Sequence, residues 1–243
     1  MVRTIPYGPS PDQVGDLWLP DGDGPFPVVA IYHGGGYVPE VTRVIMEGVA
    51  RDLRAHGIAA WNLEYRRIGS GGGWPQTFAD AADGLDRLAS LDEAPLDLAR
   101  VATLGFSAGG PLALWAAGRG EGAVRVRGAV SQAGVVDLER VARDTNTDCR
   151  ILDLLGDPGE RAEDYARANP AALLPLGVPL AIIHGDADEN VPLALQRDFA
   201  QRALEAGDPV ELVVIPGASH FDHNDPGSAA WRAARRHLSS FLD

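Results

Sequence analysis

Short apolar runs rich in Val, Ile and Ala alternate along the chain with longer stretches whose apolar positions recur at helical spacing. The runs fall at 27–33, 58–64, 101–106, 124–132, 178–184 and 211–216. They are nearly continuous in hydrophobicity, as strands buried on both faces must be, which predicts a parallel sheet. The segment 14–20 alternates more clearly and suits an antiparallel edge strand. Helices are predicted at 41–56, stopped by Gly57, and at 77–91, 111–118, 192–206 and 229–242. Strand and helix in turn imply an α/β fold with helices on both faces of the sheet. One interval breaks the rhythm. About 45 residues separate Gln132 from Val178, far more than the roughly 2–6 of a plain connection. Helical patterns at 137–143 and 165–174 suggest that 134–177 forms a small lid-like insertion, within a single domain spanning 1–243.

Composition narrows the function. A chain of 243 residues with 45% hydrophobic side chains can build one sizeable core without staples. Its formal net charge of -13, with arginines scattered along the chain, repels phosphate backbones and anionic lipid heads. Neither a nucleic-acid nor a membrane partner is expected. Cys149 is the only cysteine and there is no lysine. That excludes dithiol and zinc-ribbon chemistry, the P-loop lysine and Schiff-base catalysis, and agrees with a site that needs no metal and no cofactor. The first residues carry no apolar signal-peptide core, so a cytoplasmic location is expected.

The most specific motif is Gly105-Phe106-Ser107-Ala108-Gly109-Gly110. It fits G-x-S-x-G directly after a predicted strand and before a predicted helix, the setting of a serine nucleophile held on a sharp turn. A helix-capping Ser107 is the plain alternative. Upstream, His33-Gly34-Gly35-Gly36-Tyr37 closes another strand. Glycines there let backbone N–H groups approach a developing oxyanion, so Gly35 and Gly36, with Ala108 from the turn, are the candidate donors. A phosphate-cradling loop lacks support, because neither its Lys-Ser/Thr ending nor G-x-G-x-x-G spacing is present. Downstream, His184-Gly185-Asp186-Ala187-Asp188 and Gly217-Ala218-Ser219-His220 follow the last two parallel strands. A hydroxyl needs a base to become nucleophilic, and the base needs a carboxylate to fix its tautomer. Ser107, Asp188 and His220 supply these types at the carboxyl ends of three strands, where open α/β sheets place their sites. Asp186 or Asp137 could replace Asp188, and His223 could replace His220.

These motifs, together with W-N-L-E-Y-R-R at 61–67, G-G-G-W-P at 71–75 and N-P-A-A-L-L-P-L-G-V-P at 169–179, resemble the α/β-hydrolase superfamily. Within it they are similar to the small esterase/arylformamidase group, which includes hormone-sensitive-lipase-type carboxylesterases and kynurenine formamidases. The resemblance implies Ser107, Asp188 and His220 as a catalytic triad, an oxyanion hole at Gly35, Gly36 and Ala108, and no metal. Tyr37 stands where formamidase-like members carry Trp, and Phe106 where they carry His. Proximity to the motifs makes Tyr37, Val38, Trp74, Phe106 and Phe221 the candidate substrate-binding residues. The expected reaction is hydrolysis of a small carboxylic ester through an acyl-enzyme. Cleavage of an activated amide such as an N-formyl arylamine is the alternative, and a non-catalytic receptor on the same fold is a third. A peptidase would share the acyl-transfer chemistry. The residues do not choose between monomer and homodimer.

Overall fold

The computed structural model describes residues 2–144 and 150–243; Cys149 lies outside them. Eight strands form one sheet: β1 (Val2–Pro6), β2 (Val14–Trp18), β3 (Phe26–Tyr32), β4 (Ala59–Leu63), β5 (Leu96–Phe106), β6 (Ala129–Gln132), β7 (Leu180–Gly185) and β8 (Val210–Ile215). Their order is β1-β2-β4-β3-β5-β6-β7-β8. The first two neighbour pairs, β1/β2 and β2/β4, are antiparallel and all later pairs are parallel. The predicted antiparallel strand is therefore present as β2 but is not the edge. The edge is β1, whose half-exposed V-R-T-I-P gives little hydrophobic signal. The predicted strand at 124–132 shortens to β6, and the one at 101–106 extends back to Leu96.

The two-residue period of the strands divides the core between the faces. Val28, Ala30 and Tyr32 of β3 point into one apolar cluster, while Val29 and Ile31 point into the other. The first cluster is closed by α2 (Gln76–Asp86), α3 (Gly109–Gly118) and α7 (Leu193–Ala206), through Phe78, Leu112 and Phe199. The second is closed by α1 (Glu47–Ala55) and α8 (Ala229–Leu242), through Leu53 and Trp231. α8 arises where apolar residues fall on one face: its Trp231, Ala234, Leu238 and Leu242 recur three or four apart. α3 is apolar all round and correspondingly buried.

The described part of 134–177 carries three short helices, α4 (Leu138–Arg143), α5 (Ile151–Leu155) and α6 (Ala162–Ala168). They are fastened to the α2/α3 side. The indole N–H of Trp74 donates to Asp164 (2.8 Å), and that of Trp115 donates to the Arg167 carbonyl (2.9 Å). The helix at 151–155 escapes sequence patterning because a single turn is too short to show a period.

Candidate active site

The parallel strands run in one direction, so their carboxyl ends bring four distant loops to one rim of the sheet. The loop after β5 is the sharpest. Ser107 has φ +51, in the left-handed region that a side chain occupies only when its surroundings impose it. Its N–H donates to the Gln132 carbonyl (2.9 Å), and its own carbonyl accepts from Gly110 (2.9 Å). Two glycines make the turn possible: a Cβ at Gly105 would strike the Gly109 carbonyl, and one at Gly109 would strike that of Tyr32. β5, turn and α3 can therefore pack this closely only with glycine at both positions.

The other loops bring the partners. His220 Nε2 accepts a hydrogen bond from Ser107 Oγ (3.0 Å), and its Nδ1 donates to Asp188 Oδ2 (2.8 Å). Asp188 Oδ1 accepts from the backbone N–H groups of Asn190 and Val191, each at 2.9 Å. Burial pushes the Asp188 carboxyl up, but the His220 hydrogen bond and these N–H groups outweigh it and hold the group below its ordinary value. The carboxylate is thus ionised at neutral pH and fixes the imidazole with Nε2 free to take a proton. Of the two rival acids, Asp186 accepts from the Gly217 N–H and Asp137 caps α4. The rival base, His223, is fully buried; burial and the neighbouring His184 and His220 push it down to about 4. His184 Nε2 donates to the Val191 carbonyl (2.9 Å) and so holds the loop that presents Asp188.

Ser107 and His220 open onto a cavity of about 480 Å³, within the range of small-molecule sites. Gly35 and Gly36 line it beside Ser107, and Phe106 and Phe221 give it apolar walls. Phe106 is buried, with its ring 5.1 Å from that of His220, whereas Phe221 is 66% exposed at the rim. Three of the residues assigned to the pocket by proximity are elsewhere. Tyr37 is buried and donates its hydroxyl to the Ala108 carbonyl (2.7 Å), so it braces the glycine loop against the serine turn. Val38 closes the loop through its N–H to the Gly35 carbonyl (3.1 Å). Trp74 packs edge-on against Phe78 and reaches Asp164. The walls are instead completed by Val41, Ile45 and Val191, with polar Glu189, Asn190 and Asn224. Val41 and Ile45 lie in a turn after the glycine loop that helical patterning absorbs into a longer helix. No lining residue comes from the described part of 134–177.

Beneath the glycine loop lies a polar network. The ring nitrogens of His33 face the Gly34 carbonyl (2.7 Å) and Glu64 Oε1 (2.8 Å), and Tyr65 stacks on the ring while donating to the His33 carbonyl (2.7 Å). Burial pushes the Glu64 carboxyl up; His33, the Arg43 N–H and the Arg67 charge bring it below its ordinary value. Glu64 lies within the W-N-L-E-Y-R-R segment at 61–67, which gives it no role by itself; only its neighbours in space reveal its part. Among the described residues, no group of three or more His, Cys, Asp or Glu side chains could hold a metal ion, and no helix is long and apolar enough to cross a membrane.

Comparison with known proteins agrees with this architecture. Residues 60–242 match the model of the prolyl oligopeptidase family. The chain belongs to that family. It is therefore a hydrolase of the α/β-hydrolase superfamily. A monoacylglycerol lipase of Mycolicibacterium smegmatis is 27% identical over 88% of this chain and 87% of its own length. Among solved structures, a truncated carbohydrate esterase from gut microbiota superposes with a TM-score of 0.87 at 18% identity, covering 100% of this chain and 96% of that one. A bacterial heroin esterase superposes with a TM-score of 0.80 at 26% identity, covering 100% and 83%.

Proposed function

We propose that the chain is a serine carboxylesterase that cleaves small carboxylic esters through an acyl-enzyme. The observation that carries this reading is the unbroken contact from Asp188 to His220 to Ser107 (2.8 and 3.0 Å) at the wall of a small, largely apolar cavity. Ser107 Oγ attacks the ester carbonyl as its proton passes to His220 Nε2, and Asp188 stabilises the resulting imidazolium. The carbonyl oxygen becomes an oxyanion and accepts hydrogen bonds from the backbone N–H groups of Gly35, Gly36 and Ala108, each such donor being worth about 3 kcal/mol of barrier. His220 then protonates the leaving alcohol. In the second half, His220 takes a proton from water as the oxygen attacks the acyl carbon, and then gives that proton to Ser107 Oγ, which leaves as the free hydroxyl while the acid departs. The ester-cleaving activities named for the lipase and esterase relatives favour an ester over an amide.

Labelling by a fluorophosphonate, located at Ser107 by mass spectrometry, together with turnover of p-nitrophenyl acetate and butyrate that disappears in Ser107→Ala, is the expected result. Undiminished turnover in that variant would overturn the assignment. N-formylkynurenine or a prolyl anilide cleaved faster than phenyl acetate would replace the ester reading with an amidase one.

A further inference from the structure

We infer that Glu189 is a specificity-determining residue that turns anionic esters away from the site, restricting it to uncharged or cationic substrates; this rests on the esterase reading. Glu189 is exposed and lines the same cavity as Ser107. No other described residue forms a hydrogen bond or ion pair with its carboxylate, so its charge acts on whatever enters. Among the described residues, the lining offers nothing to offset it: His220 is the only other titratable residue there and no arginine reaches the wall, and the chain has no lysine. The next carboxylate, Asp188, is already bound to His220. A substrate carboxylate entering this space would lose water and meet like charge with no counterion. The site generates an anion of its own, since ester and water give an alcohol and an acid that ionises at neutral pH. Glu189 thereby favours departure of that product as well as rejecting its look-alikes.

The two p-nitrophenyl esters of butyric acid and of succinic acid (the half-ester) have similar acyl chains and differ by a terminal carboxylate. Charges held on the order of 5–10 Å apart at a partly wetted wall repel enough to change a rate constant roughly five- to tenfold. The unmodified enzyme is expected to favour butyrate. Glu189→Gln should raise the succinate-to-butyrate ratio of kcat/KM by roughly that factor at low salt, and Glu189→Arg by more, with both gains shrinking as salt screens the wall. Glu205→Gln, an equal charge change on an exposed position of α7, should leave the ratio as it is. A ratio within twofold of the unmodified value in Glu189→Gln overturns the inference, as does an equal shift in Glu205→Gln, which would assign the selectivity to the net charge of the whole chain. If the unmodified enzyme turns over neither ester, the esterase reading falls and the inference falls with it.

Discussion

Replacing Tyr37 with Phe separates two roles that the same residue could play. The hydroxyl is buried and donates to the Ala108 carbonyl at 2.7 Å, and the residue is held at φ +60. Ala108 is the N-cap of α3, and an N-cap carbonyl also accepts the first intrahelical hydrogen bond. Loss of the hydroxyl therefore removes one of two partners. It does not orphan the carbonyl, and the cost is that of a single buried hydrogen bond, about 1 kcal/mol. For a chain of this length that corresponds to a Tm lower by about 2–4 °C. The same residue follows the nucleophile, and its N–H, in the adjoining peptide unit, is a proposed oxyanion donor. Loosening it should lower kcat by about tenfold, well short of the 10²–10³ that follows outright loss of a donor. KM and the preference between acyl chains should stay put, because the ring lines no part of the cavity. Thermal denaturation and Michaelis kinetics on p-nitrophenyl acetate and butyrate provide both readouts. An unchanged Tm with a shifted acetate-to-butyrate preference would refute the bracing role and return Tyr37 to the pocket.

Asp188→Asn should leave the fold intact yet lower kcat by roughly 10³–10⁴-fold, since the amide no longer fixes the His220 tautomer; steady-state kinetics check this, and a loss under tenfold would count against it. Phe221→Ala should raise KM for butyrate severalfold with little change in Tm, because the ring stands exposed at the rim, whereas Trp74→Ala should leave KM alone and lower Tm through loss of Phe78 and Asp164. His223, pushed down to about 4, makes stability depend on pH. As pH falls below about 6.5 the unfolded chain takes up a proton that the native state refuses, so stability declines towards pH 4 by about 3 kcal/mol in all. His223→Leu should flatten that decline, leaving the smaller contribution of His184, which burial also pushes down; denaturant titrations at pH 7 and pH 4.5 measure it.

How much was legible in the sequence depended on whether the determinant was local. β5, the serine turn and α3 announce themselves because strand hydrophobicity, glycine at two close approaches and a helix start are contiguous in residues 101–118. Asp188 and His220 were legible because each follows a strand of the parallel sheet, and the sheet itself brings such loops together. The edge strand β1 was not, since an exposed edge needs no hydrophobic run. Nor were the cavity walls. Sequence adjacency to a motif assigned Tyr37, Val38 and Trp74 to the pocket, but Tyr37, at φ +60, is buried against the Ala108 carbonyl, and Trp74 packs on Phe78 and donates to Asp164 rather than lining the cavity. Val41 and Ile45 line the cavity because the chain folds back after the glycine loop, a tertiary event with no periodic signature.

The position of Glu64 follows from the same logic applied to the glycine loop. A loop of glycines has no side chains with which to hold itself in place, and glycine has the most conformational freedom to lose. An oxyanion site nonetheless requires its N–H groups to be fixed before the charge develops. Here the rigidity comes from either side of the loop. Tyr37 ties one end to the Ala108 carbonyl, and His33 anchors the other between the Gly34 carbonyl and Glu64, with Tyr65 stacked on the ring. Glu64 in turn meets the Arg43 N–H (3.0 Å) and Arg67 (2.8 Å). Buried charge of this kind is costly unless every group is partnered. Its presence under a glycine loop that has no side chains of its own makes positional stiffness the most economical reason for it. Glu64→Gln keeps the shape and removes the charge, so it should lower kcat on p-nitrophenyl acetate more than it raises KM. A variant that loses only Tm, with kcat unchanged, would reduce the network to a purely structural device.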